Sequence, residues 1–339
     1  MKIAYKIASG VFVLLMFLVS IGIYMVWQDY LRFLATPMTI EKLPFLYTVD
    51  KGSSLRSVVD ELVNKDHIEH GKYLLWYGRS EDIGRQIKAG EYSFNKPPTP
   101  LEFLDRLVSG QVSQYSLTIV EGWSFRQMLS AIRSNQYITQ TITDLDSEAI
   151  MKQLGQEGQH PEGLFFPDTY LFPKNTIDLD FLERSMRMMQ QVLDEEWAAR
   201  EENLPIKSPY EALILASIIE KETGVPNERP EIAGVFVRRL QKGMLLQTDP
   251  TVIYGMGDQY DGNIRRRDLK TDTPYNTYTR RGLPPTPIAL PGREAIHAAL
   301  HPAPGKALYF VARGDGSHQF SDTLKAHNLA VAKYQLKKK

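Results

Sequence analysis

From Ile7 to Trp27 the chain runs 21 residues without a charge, most of them Val, Leu, Ile, Phe or Met. That length spans a bilayer as a helix. No small-x-small cleavage signal follows, so a retained anchor is expected rather than a cleaved leader. Lys2 and Lys6 precede the run, and only Arg32 and Lys42 follow it closely. The positive-inside rule therefore predicts a cytoplasmic N-terminus (residues 1–6), a transmembrane helix (7–27) and everything later outside. Trp27 and Tyr30 stand where an interfacial aromatic belt would lie. Residues 28–44 read as a stalk, because Pro37 and Pro44 discourage continuous helix.

Beyond the stalk the pattern alternates between strand and helix periods. Residues 45–49 read as a strand. Gly52 breaks it, Ser53 or Ser54 can cap, and Leu55, Val58, Val59 and Leu62 recur at helical spacing. Residues 90–94 are strand-like. Thr99-Pro100-Leu101-Glu102 is then a capping box with Pro in the first turn, opening a helix that Gly110 ends. A third strand, residues 115–120, leads to a further box at Ser124–Gln127. Residues 48–56 and 118–126 share one order: strand, Gly, Ser cap, apolar residue, Arg. That is a weak internal repeat. Residues 136–160 are polar and helical in tendency, and residues 161–173 are rich in Pro and aromatics with little periodicity. A long amphipathic helix is expected over about 179–200.

Ser208-Pro209-Tyr210-Glu211 opens the helix that matters most. Its interior, Ala212 to Ile219, is apolar around nearly the whole circumference, so the helix is buried. Gly224 and Pro226 stop it. Glu220 follows the apolar run near the C-terminal end. Burial and the negative end of the helix dipole both disfavour its carboxylate, while Lys221 opposes them. A carboxylic acid kept protonated near neutral pH suits protonation of a leaving oxygen. Periodicity alone favours the plainer reading, in which Glu220 starts a solvated helix end beside Lys221 and Glu222.

Composition narrows the classes. The chain has 339 residues, a prior of about two or three domains. Lys+Arg and Asp+Glu both number 40, which argues against a nucleic-acid binder. The absence of cysteine excludes disulfides, thiolate nucleophiles and Cys-based zinc sites. His297 and His301 have metal-ligand spacing, but Ala298 stands where a zincin has Glu and no third ligand is evident in the sequence. No metal or other cofactor is therefore expected. The basic runs 265–267, 280–281 and 337–339 read as solvated faces, or as attraction to carboxylates of a ligand.

Two resemblances complete the reading. Tyr47-Thr48-Val49 with Gly52, Ser53 and Leu55 resembles the start of a LysM module, which binds N-acetylglucosamine-containing glycans. Residues 216–223 (Ala-Ser-Ile-Ile-Glu-Lys-Glu-Thr), 246–252 (Leu-Gln-Thr-Asp-Pro-Thr-Val), 275–278 (Tyr-Asn-Thr-Tyr) and 282–285 (Gly-Leu-Pro-Pro) resemble the endolytic murein transglycosylase family (MltG, YceG-like). Glu162-Gly163, residues 166–170, 309–311, 318–321 and His327-Asn328 fit as well, and the resemblance covers about residues 45–335. It implies an α+β chain: the anchor, a small LysM-like α+β module (45–120) and a larger α+β catalytic domain (121–339). It further implies a lytic transglycosylase, a carbon–oxygen lyase that cleaves the MurNAc–GlcNAc bond within nascent glycan strands, leaves 1,6-anhydro ends and terminates elongation. The family's catalytic Glu falls on Glu220. Gln247, Asp249, Asn276 and Tyr278 are candidates for lining the groove. Arg238 and Thr286 stand where Asn and Gly are expected. The implied setting is the inner membrane with the catalytic part periplasmic, and the implied partners are glycan strands and peptidoglycan synthases (penicillin-binding proteins). Alternatives are a glycoside hydrolase with Asp249 or Asp168 as second carboxylate, and a non-catalytic glycan-binding scaffold.

Overall fold

The structure, a computed structural model, describes residues 2–336, so the basic cluster at 337–339 lies outside the described residues. Helix α1 (Lys2–Ala35) opens the chain. Within its stretch Ser9–Ala35 an 18-residue window reaches a mean hydropathy of 2.4, and the stretch is long and apolar enough to cross a membrane. The helix does not end with the apolar run, as the stalk expectation had it. It continues to Ala35, and Tyr30, Leu34 and Met38 enter a protein core. Tyr30 is 6% exposed and packs against Trp76 at 4.7 Å, so it serves packing rather than a free interfacial belt. Trp27 stays half-exposed, 6.1 Å from the equally exposed Trp76.

The described residues divide into two compact units. The first holds residues 1–115 and 172–174. In it, β1 (Phe45–Val49), α2 (Leu55–Asn64), α3 (Gly71–Ser80) and β2 (Gly90–Phe94) are followed by α4 (Pro100–Ser109). Strands β1 and β2 pair antiparallel, with Phe45 opposite Phe94 and Val49 opposite Gly90. Ser54 and Thr99 cap α2 and α4 through capping boxes with Ser57 and Glu102. The helical apolar set Leu55, Val58, Val59 and Leu62 is buried, as its spacing requires.

The second unit holds, among the described residues, 116–171 and 175–336. Strand β3 (Gln114–Thr118) leads through Gly122 to α5 (Phe125–Arg133), capped by Ser124 with Gln127. The repeat is therefore real in local structure. Gly52 and Gly122 both adopt positive φ (90° and 76°), a conformation that favours Gly, and each is followed by a Ser-capped helix. The expected helical tendency of 136–160 yields only β4 (Ile138–Thr139) and α6 (Ser147–Gln153). The Pro- and aromatic-rich segment contains an unforeseen strand, β5 (Thr169–Pro173), which pairs with β3. In it Tyr170 and Phe172 are buried while Leu171 is exposed. β6 (Thr176–Ile177) pairs parallel with β4 and runs directly into α7 (Asp178–Ala198).

The core of this unit is built round α8 (Pro209–Glu222). Against it pack α7, α9 (Arg229–Gln241), α10 (Asp249–Met256) and α11 (Arg293–Leu300). Every residue from Ala212 to Ile219 is buried, which explains the lack of a polar face. The one polar side chain inside, Ser217, donates to the Ile214 carbonyl and accepts from the Ile288 N–H. An antiparallel hairpin, β7 (Tyr309–Ala312) with β8 (His318–Ser321), and helix α12 (Leu324–Val331) complete the described chain.

Candidate active site

Three short stretches meet at the last turn of α8. Glu220 keeps only 6% of its side chain exposed. Its Oε2 accepts the Gly292 N–H at 3.1 Å, and its Oε1 lies 3.6 Å from Arg229 Nη2. The same Arg229 nitrogen lies 3.6 Å from Glu121 Oε2. Residues 121–123 are held beside the helix by a reciprocal pair of backbone bonds. Gly122 N donates to Leu290 O (2.9 Å), and Leu290 N donates to Trp123 O (2.7 Å). Lys221 packs against the same segment and donates to the Gly122 carbonyl at 3.1 Å. Gly292 leaves room for Glu121: a Cβ there would fall 1.9 Å from Glu121 Oε1, so a larger residue would push that nearly half-exposed side chain aside.

This setting raises the Glu220 pKa above the ordinary carboxylate value. Burial is the largest cause. The Gly292 N–H opposes it, Glu121 reinforces it, and Arg229 and Lys221 oppose it. The direction is the one expected from the apolar helix alone. The partners are not: no local pattern brings Glu121, Arg229 or Gly292 to this carboxyl. Arg229 is almost fully buried and bridges two carboxyl groups. Chemically, a carboxyl whose pKa is raised by burial and which one backbone donor orients can give a proton to an adjacent oxygen and take one back.

Two residues further on, Glu222 occupies a different pocket. Its carboxyl accepts from the Thr248 hydroxyl, and desolvation pushes its pKa up to about 7. Around it stand three of the predicted groove residues or their partners. Tyr278 donates its hydroxyl to Asp249 at 2.5 Å. Gln247 is exposed, has φ 52° and accepts weakly from Arg239 (3.4 Å). That positive φ in a non-Gly residue is held by the Gln247 N–H donating to Thr277 O and by Thr248 N donating to the Thr277 hydroxyl. Asn276 departs from the groove-lining expectation. It is 1% exposed, and its amide donates to the carbonyls of Asp268, Leu269 and Thr271 while its oxygen accepts from Tyr278 N. Its hydrogen bonds are used inside the loop, so it shapes the segment that carries Tyr278 rather than facing solvent.

The two departures from the family pattern have structural work of their own. Arg238 donates to the carbonyls of Ala303 and Ala307, and Thr286 bonds the Tyr275 hydroxyl and the Pro287 carbonyl. Asp168, one candidate second carboxylate, is exposed and accepts from Thr169 N at the edge of β5. Asp249, the other, is engaged by Tyr278. The carboxyl that shares a guanidinium with Glu220 is instead Glu121.

A third ligand type does join the two histidines. Glu196 from α7 brings an oxygen within 4.8 Å of the ring nitrogens of His297 and His301. That carboxyl is already engaged by Arg293 (3.0 Å) and by His297 Nδ1 (2.8 Å). His301 places its ring nitrogens on the carbonyls of His297 and Ala199. The Glu196 carboxyl is thus already engaged, beside the fixed positive charge of Arg293, which is a poor setting for a cation.

Comparison with known proteins agrees with the sequence motifs. A family model described as the YceG-like family matches residues 47–333. A Bacillus subtilis (strain 168) protein named endolytic murein transglycosylase is 34% identical over 303 residues, covering 84% of this chain and 83% of that protein. A protein of the same name from Streptococcus pneumoniae serotype 2 (strain D39) is 24% identical; 95% of this chain is covered, and the chain spans 64% of that relative's length. The crystal structure of a yceG-like protein from Listeria monocytogenes matches with a TM-score of 0.54 at 28% identity, covering 84% of this chain and 98% of that one.

Proposed function

The chain belongs to the YceG-like family, and from that premise we propose that it is a membrane-anchored endolytic lytic transglycosylase of peptidoglycan, with Glu220 as its acid and base. The observation that carries the reading is the Glu220 carboxyl. It is nearly buried, biased toward the neutral form, and oriented by one backbone N–H. Relatives named for murein transglycosylation supply the substrate class.

The reaction follows from one carboxyl acting twice. Glu220 donates its proton to the glycosidic oxygen between MurNAc and GlcNAc as the C1–O bond breaks. Its carboxylate then takes the proton of the muramic 6-hydroxyl while O6 bonds C1, giving a 1,6-anhydro end with no water consumed. The Gly292 N–H stabilises the carboxylate formed halfway, and burial favours its reprotonation. The apolar α1 would hold this site at the outer face of the inner membrane, where nascent strands and their synthases are. The LysM-like start of the first unit would add a second hold on glycan.

Digestion of purified glycan strands by the wild type and Glu220→Gln, followed by product mass, tests the proposal. Anhydro ends from the wild type and no cleavage by the variant are expected. A hydrolase remains the second reading because Glu121 shares Arg229 with Glu220, as a second carboxylate would. Products that all carry reducing ends, one water heavier, would establish it. Binding of glycan by both forms without cleavage would leave only a scaffold.

A further inference from the structure

A cavity of about 860 Å³ opens beside the candidate active site, between the start of α5, residues 158–162, the end of α10 and Tyr275. Its volume lies within the range of small-molecule sites. The cleavage step does not use it. At its base sits Glu162, only 3% exposed. One carboxyl oxygen accepts the Phe125 N–H at the head of α5 (2.8 Å), and the other accepts the Tyr254 hydroxyl (3.1 Å). The rings of Tyr254 and Tyr275 meet edge to face at 4.9 Å and supply one wall. Gln127 and Gln159 also line it, Gln127 with its Oε1 already accepting the Ser124 N–H.

The chemistry of the lining selects its ligand. Burial pushes the Glu162 carboxyl up to about 7, so near neutral pH it can both accept and donate a hydrogen bond. Amides and a phenol offer the same duality, and aromatic carbons offer a surface for an apolar ring face. An anionic ligand would need a spare cation, yet Arg126 at the rim is paired with Asp258. The lining fits a neutral, hydroxyl-rich ring. Location adds the rest. Gly122 borders Glu220, its Cβ direction lying 3.8 Å from the Glu220 Cγ, and Phe125 caps the Glu162 carboxyl. Only Trp123 and Ser124 lie between Gly122 and Phe125, three residue steps that span at most about 11 Å.

We propose that this cavity is a saccharide subsite, holding an N-acetylhexosamine ring of the same strand whose bond Glu220 cleaves. The inference rests on the glycan-cleaving reading and adds where a neighbouring part of the strand is gripped. A ring held there fixes which linkage reaches Glu220, so the subsite helps set product length.

The test measures equilibrium binding of purified, peptide-free glycan strands to the full-length chain carrying Glu220→Gln, with and without Gln159→Trp. Gln159 is exposed at the mouth of the cavity, and the indole would fill the space. Gln159→Trp should weaken binding by about fivefold or more, the scale of losing one hydrogen-bonded contact set. Strands bearing stem peptides should show the same loss. Should Gln159→Trp fail to fold by its melting temperature, Gln159→Arg serves as the blocking variant. Unchanged affinity overturns the subsite. A loss confined to peptide-bearing strands overturns it too, and assigns the cavity to the peptide. Cleavage assays with Glu220 intact separate the two claims. A chain whose strand binding falls with Gln159→Trp but which never cuts keeps the subsite and loses the catalytic reading. A chain that cuts, while Gln159→Trp binds at parental affinity, loses the subsite alone.

Discussion

Glu220 and Glu222 stand two residues apart on one helix, yet they meet different worlds. Glu220 faces the segment 121–123 and Gly292, with a backbone N–H on one oxygen and a shared guanidinium on the other side. Glu222 turns to Thr248 and the Asp249–Tyr278 pair, and its carboxyl is desolvated behind them. Both are biased toward the neutral form, chiefly by burial. A raised pKa therefore does not single out the catalytic group. What separates them is company: Glu220 is placed by a donor that stays fixed while its charge changes, whereas Glu222 braces the 247–249 segment through a hydroxyl.

The largest expected effect breaks the symmetry outright. Glu220→Gln should lower the rate of glycan cleavage by about 10²–10⁴-fold, the usual contribution of general acid–base catalysis, while Glu222→Gln, which still accepts from Thr248, should retain most of it. Rates on purified strands decide; equal losses would merge the two pockets into one site. Next in size, Leu213→Ala in the fully buried part of α8 should cost about 2–5 kcal/mol in stability. It should disturb both pockets together, as read by urea unfolding.

A smaller effect concerns pH. Glu222 and Glu162 bind protons more tightly folded than unfolded. The stability they contribute is complete below the ordinary carboxylate pKa and is lost as pH rises through about 7. Melting temperature should therefore fall between about pH 5 and 8, and Glu222→Gln should flatten that fall by on the order of 2 kcal/mol. A variant whose melting curve tracks the wild type across this window would contradict it. The smallest effect sharpens the Glu220 side. Removing the Glu121 charge leaves Arg229 to Glu220 alone, so Glu121→Gln should lower the Glu220 pKa. The high-pH limb of the rate profile should then move to lower pH, by less than about one unit because Glu121 is nearly half-exposed. A shift upward would reverse the role given to that carboxyl.

The contrast between α1 and α8 shows how far pattern alone reaches. Both helices are apolar all round, and both are readable from their residues. The apolar run of α1 is too long and too exposed for a protein core, although Tyr30 and Leu34 beyond it enter one, while the shorter apolar run of α8 is covered on every side. The caps at Ser54, Thr99, Ser124 and Ser208 were legible because each bond closes over three residues. Strand β5 was missed because its two-residue alternation is hidden among prolines and aromatics, and α3 because it opens at Gly71 with no side-chain cap. Asn276 looked like a sugar contact because an amide flanked by tyrosines carries no mark of burial; three loop carbonyls decided otherwise.

By itself the sequence determined the apolar N-terminal helix, the buried α8, the place of Glu220 at its end and the family motifs. These depend on local spacing, on caps and on residue identity. Only the tertiary structure decided which groups surround the carboxyls. Gly292 comes to Glu220 across 72 residues, Gly122 to Lys221 across 99, and Tyr254 to Glu162 across 92. An acid's proton affinity is set by the charges and dipoles within a few ångströms of it, and here nearly all of them arrive from elsewhere in the chain.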